Sequence, residues 1–161
     1  MPRLMKRRSR KTSLPPGSMV FIGEKKTEAT SLTIIDYDEG EFLEKHVETI
    51  EECLPFKDLP TVTWFNVSGL HQTDVIEKLG GYFGLHPLLL EDVVNTDQRP
   101  KVDDYGKYLF FVVKMVQYDE DSTLKSEQVS FILGPNYIIS FQEDGGDVFD
   151  PIRERIRNSK G

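Results

Sequence analysis

Apolar and polar residues along this chain change their spacing several times, and each change marks an element. Gln72 to Phe83 carries Val75, Ile76, Leu79, Tyr82 and Phe83 on one stripe, which predicts an amphipathic helix that Gly80-Gly81 loosens and Gly84 stops. Thr61 to Val67 alternates Val62 and Trp64 with Thr63 and Phe65 and predicts a strand ending at Ser68-Gly69. Lys107 to Tyr118 is apolar on both faces, so it reads as a strand in the middle of a sheet covered on both sides. Glu127 to Leu133 and Tyr137 to Phe141 follow across short polar turns, and such connections allow only an antiparallel meander. Met19 to Ile22, Ser31 to Tyr37 and His46 to Ile50 are read as further strands. Acidic Asp38 to Lys45 is read as helical, with Phe42 and Leu43 as its apolar anchors, and Glu51 to Leu59 as a short helix and loop. Asp150-Pro151 opens a last helix through Ile152 and Ile156. The sum is an α/β chain: an α/β/α sandwich on a mixed, roughly seven-stranded sheet.

The stretch that organises these elements is His86 to Lys101, HPLLLEDVVNTDQRPK. Pro87 suits the first position of a helix, Leu89, Leu90, Val93 and Val94 give it a buried face, and Pro100 forbids a long continuation. The helix presents two adjacent carboxylates, Glu91 and Asp92. One account of the pair is complementarity to the helix dipole in the early turns. The other is half of a hard-cation site, since Mg²⁺ is held by one or two carboxylates with water retained.

Charge sharpens the picture. The first 12 residues hold six basic groups and no acidic one, which leaves 14 basic against 27 acidic in the remainder, a formal −13. A body that acidic repels nucleic acid and attracts cations. Residues 1–13 read as a basic, disordered tail and 14–161 as one folded domain. No apolar run approaches the length that crosses a bilayer, and the basic start is followed by no apolar stretch of a signal peptide. The single cysteine, Cys53, forms no internal disulfide.

Catalytic constellations are missing. His46, His71 and His86 lack metal-ligand spacing, and His71 and His86 stand just before helices, where capping or packing accounts for them. Cys53 reads as a space-filler. The acids Asp36, Asp38, Glu39, Glu41 and Glu44, and Asp119 to Asp121, read as solvated turns and faces. The sequon Asn66-Val67-Ser68 lies in a strand and reads as accidental. The expectation is a non-enzyme.

HPLLLED followed by QRPK resembles the cytosolic part of the CorA family of magnesium channels. TWFNVSGLH, YLFFVVKM, SEQVSFIL and FQEDGGDVFDPIRERIR are similar to that family in the same order, from about Leu14 to Arg157. The family's Gly-Met-Asn pore tripeptide and its stalk and membrane helices do not occur here, so the resemblance is to the amino-terminal domain, with further helices expected beyond Gly161. It implies a Mg²⁺-sensing regulatory domain of a divalent-cation channel, with cobalt or nickel as further cargo, at the cytosolic face of the cell membrane. It implies a homopentamer in which Asp92 meets the stalk helix of a neighbouring subunit across a regulatory Mg²⁺, with Glu91 assisting a second ion. Two alternatives stand beside it: a zinc- or cobalt-transporting cousin of the same fold, and a protein-interaction module that binds no ion.

Overall fold

The computed structural model describes residues 14–146 and 148–158, and the basic tail read over 1–13 lies outside them. Strand β3 (Val62–Ser68) is its keel, buried on both faces from Thr63 onward. Around it stand β1 (Ser31–Tyr37), β2 (Phe42–Val47), β4 (Lys101–Asp104), β5 (Leu109–Tyr118), β6 (Leu124–Leu133) and β7 (Tyr137–Gln142), in the order β2-β1-β3-β7-β6-β5-β4. β3 runs parallel to β7, and the other neighbours pair antiparallel, including the β5-β6-β7 meander. The expected mixed sheet of seven strands is therefore present.

Alternation along β3 sends Phe65 and Val67 to one face and Trp64 to the other. On the first face, helices α1 (Leu54–Lys57), α2 (Thr73–Phe83) and α3 (Pro87–Val94) enclose the core, where Ile34, Phe65, Phe110, Ile132 and Ile139 meet Ile76, Leu79, Leu89 and Val93. Phe65 stands edge-on to Phe83 with ring centroids 5.0 Å apart. On the second face lies α4 (Asp150–Arg157): Phe149, just before it, meets the Trp64 ring at 5.6 Å, and Arg153 covers that ring at 5.3 Å. Arg157 grips Glu44 of β2 with two nitrogens, at 2.6 and 2.7 Å. Helices thus flank the sheet on both sides. Among the described residues no helix is long and apolar enough to cross a membrane.

Four expectations are corrected. Asp38 to Lys45 is a hairpin: the Asp38 carboxylate accepts the N–H groups of Gly40 and Glu41, and β2 then returns along β1. The strand expected from His46 ends at Val47, and Ile50 already opens a 3-10 turn (Ile50–Cys53). Met19 to Ile22 joins no sheet. It lies along α3 as a strap, where the Ile22 N–H donates to Val94 O at 2.9 Å and Ile22 O accepts from Thr96 N–H at 2.9 Å. β5 sits next to the edge, so Phe111 and Val113 on its second face are only half-buried.

Helices α2 and α3 approach closely at Gly80, where a Cβ would stand 2.4 Å from Cδ1 of buried Leu90. Gly81, one residue on, is exposed and has open space beyond it. Gly80→Val is expected to destabilise the fold by about 2–3 kcal/mol through overpacking. Gly81→Ala is expected to stabilise it by about 0.5–1 kcal/mol, since alanine is the better helix former. Urea denaturation of the two variants checks both signs.

Candidate metal site on helix α3

An eight-residue helix needs anchors, and α3 has one on every side. At its start His86 is extended and its Nδ1 accepts the Leu88 N–H at 3.2 Å, while its own N–H donates to the Tyr108 hydroxyl at 3.0 Å. The histidine is a cap, as its place before a helix predicts. Leu89, Leu90, Val93 and Val94 are buried beneath. At the end, the side-chain amide of buried Gln128 in β6 donates to Asp92 O at 3.2 Å and Asn95 O at 3.1 Å. Its oxygen accepts from Gln98 N–H at 3.1 Å and from Lys114 Nζ at 3.3 Å. Gln128 thereby pairs the Asn95 carbonyl at the helix end and adds a second donor to Asp92 O, which the Asn95 N–H also reaches at 3.3 Å.

The two carboxylates leave the helix toward different partners. Glu91 Oε2 accepts the Gly17 N–H of the strap at 2.7 Å. Gly17 holds φ +84°, and a Cβ there would stand 3.2 Å from Pro87 Cβ, so the strap passes tightly over the first turn. Asp92 Oδ2 lies 2.8 Å from Lys101 Nζ, which also lies 2.6 Å from Asp103 Oδ2. Burial works against the Lys101 charge, but hydrogen bonds to Asp103 and Asp92 overcome it and raise the lysine's pKa. Both acids fall beyond the first turn, and Asp92 stands two residues from the helix end. The dipole favours negative charge only in the first turn, so it does not account for them.

Three of the other acids have structural partners. Asp36 accepts the hydroxyls of Thr61 and Thr63 at 2.7 and 2.6 Å, Glu44 is held below the usual carboxylate range by its hydrogen bond to Arg157, and Asp119 is lowered chiefly by Lys125. Asn66 is buried and hydrogen-bonded to Ser68 and Ser140, which fits the sequon being accidental. Burial pushes the Cys53 thiol up to about 12. Among the described residues no group of three or more His, Cys, Asp or Glu side chains forms a metal cage.

A single domain of this kind can supply part of a dication site. Asp92 offers a hard oxygen on the outer side of a clamped helix, and the site already accepts a positive charge, the Lys101 ammonium, against that oxygen. The donor chemistry fits Mg²⁺ with most of its shell completed by water or by another chain. Lys101, Asp103 and Gln128 were not singled out from the sequence. Lys101 lies nine residues from Asp92 beyond a proline, and only the fold joins them.

Residues 60–161 match the family described as CorA-like Mg²⁺ transporter protein. The chain is 48% identical, over 157 residues, to the cobalt/magnesium transport protein CorA of Thermotoga maritima, a match covering 97% of this chain and 44% of that protein. The chain thus spans less than half the length of this relative. Its fold is similar to that of the CorA magnesium transporter of Methanocaldococcus jannaschii (TM-score 0.57, 16% identity, 80% of this chain and 37% of the other). It is also similar to the full-length CmaX protein (TM-score 0.64, 15% identity, 86% and 42%). At those identities the structural matches speak to fold alone.

Gln128→Leu keeps roughly the volume but takes the side-chain partner from the Asn95 carbonyl and the Gln98 N–H, and is expected to cost about 2–4 kcal/mol. Thermal melting beside the wild type reads this. The native Cys53 thiol is expected to stay unreactive toward Ellman's reagent at pH 8 and to react on unfolding, because it is buried as well as shifted upward.

Proposed function

The chain belongs to the CorA-like Mg²⁺ transporter family, and we propose that it is the dication-sensing head of a homopentameric transporter, held at the cytosolic face of the membrane by helices beyond this sequence. The observation that carries this reading is the Asp92 carboxylate. It is held, partly exposed, on a helix fixed at its start, along its strap and at its end, and it already rests against a positive charge.

Asp92 brings one hard oxygen, and the complementary acids come from the stalk helix of a neighbouring subunit. A bound Mg²⁺ would supply the attractive charge that lets carboxylates of two subunits approach each other. Without the ion that attraction is lost, nothing holds the acids of the two subunits together, and the subunits separate. A ligand that binds one arrangement and not the other shifts the balance by mass action, so a high internal Mg²⁺ concentration favours the closed assembly. Glu91, pinned to the Gly17 amide, fixes the strap over α3; its part in a second ion site rests on the family resemblance. The donors here are all oxygens, which favours Mg²⁺ over softer ions. Gln128 and His86 keep the helix from yielding when Asp92 is pulled outward.

The test is Mg²⁺ inhibition of transport by the full-length protein in liposomes, with Asp92→Asn beside wild type. The half-inhibiting Mg²⁺ concentration is expected to rise about tenfold or more in the variant, the size of an ordinary coupling energy between sites. Unchanged inhibition removes Asp92 from the sensor. If no Mg²⁺ inhibition occurs in either protein, the domain is an interaction module.

A further inference from the structure

The contact between Lys101 and Asp92 joins a residue of the proposed sensor to an internal cation. Lys101 opens β4, and Asp103 lies two residues along the same strand, on the same face. The ammonium reaches Asp103 Oδ2 at 2.6 Å and Asp92 Oδ2 at 2.8 Å, with the Phe110 ring centroid 5.4 Å away. It is therefore shared between a local carboxylate, which travels with it, and a remote one on α3. All three side chains keep partial access to water, with side-chain exposures of 33% for Lys101, 24% for Asp92 and 40% for Asp103. A lysine is a compact charge on a flexible stem, so releasing one of its two acceptors needs only a rotation. Releasing Asp92 leaves no bare charge behind, because Asp103 remains in place to hold the ammonium.

We propose that Lys101 is a tethered competitor for the Asp92 carboxylate. It neutralises Asp92 while no dication is present, and swings wholly onto Asp103 when one arrives. This rests on the reading of Asp92 as the sensor carboxylate and adds what sets its threshold. A site blocked by its own side chain binds more weakly in proportion to the fraction of time it stands open. A tether in place nine-tenths of the time weakens the apparent affinity about tenfold. The lysine also spares the helix an unpaired, partly buried carboxylate in the dication-free state. The head then keeps its shape when the ion leaves, and only the contact between subunits is lost.

The experiment is Mg²⁺ binding to the full-length protein by titration calorimetry, on wild type, Lys101→Met, Asp92→Asn and the double variant. Lys101→Met is expected to bind Mg²⁺ about tenfold more tightly, and the same substitution made on Asp92→Asn is expected to change nothing. Equal affinity of wild type and Lys101→Met overturns the proposal. A gain of the same size in both backgrounds also overturns it, because it would reflect general charge and not competition for Asp92. If Asp92→Asn binds Mg²⁺ as wild type does, the sensor reading itself fails. If Asp92→Asn weakens binding and Lys101→Met does not strengthen it, only the competitor fails. Melting without dication screens every variant for folding, and Lys101→Gln, which keeps a polar side chain, carries the same comparison should Lys101→Met not fold.

Discussion

An eight-residue helix cannot hold itself together in water, since two turns provide too few internal hydrogen bonds to offset the entropy of ordering them. Everything about α3 therefore depends on what grips it from outside. The grip comes from four directions: the buried apolar face, the His86 cap tied to Tyr108, the strap bound to Glu91 and to Val94, and the Gln128 amide at the helix end. Each grip comes from a different part of the chain. A short helix held this way behaves as a rigid bracket, and a bracket is what a shared ion site between two bodies requires.

The sheet sets the bracket's position. Tyr108 stands immediately before β5 and Gln128 lies in β6, so the meander fixes both ends of α3 at once. β4, an edge strand of four residues, delivers Lys101 to the outward-facing side of the helix. The acids elsewhere are consumed by the fold: Asp38 in a turn, Asp36 on two threonines, Glu44 on Arg157. Of the acids described here, Asp92 is distinguished because its partner is a lysine that a second carboxylate, Asp103, also holds.

Much of this was legible in the chain itself. The stripe of α2, the alternation of β3, the tight turns of the meander and the His86-Pro87 start are local patterns, and local patterns survive folding. Two kinds of feature were not legible. β2 is built from residues that favour helices, Glu44 and Lys45 among them, and lies largely exposed, so no apolar alternation announces it; pairing with β1 decides its form. The strap at Met19 to Ile22 looks like a strand because its residues are β-formers, but it bonds to the end of a helix, and no sequence period encodes that choice. The same limit hid Lys101 and Gln128, since a contact across nine or 36 residues of chain is a property of the fold. The identity of the acid pair was readable. Their divergence toward Gly17 and Lys101 was not.

An ion shared between Asp92 and a neighbouring subunit can be seen directly. Crystals of the full-length protein grown with Mn²⁺ in place of Mg²⁺, with diffraction recorded at the manganese edge, would locate every bound dication by its anomalous signal. A peak is expected against the Asp92 carboxylate at a boundary between two subunits, with Lys101 turned away onto Asp103. Manganese peaks elsewhere and none at Asp92, with Lys101 still seated on that carboxylate, would contradict it.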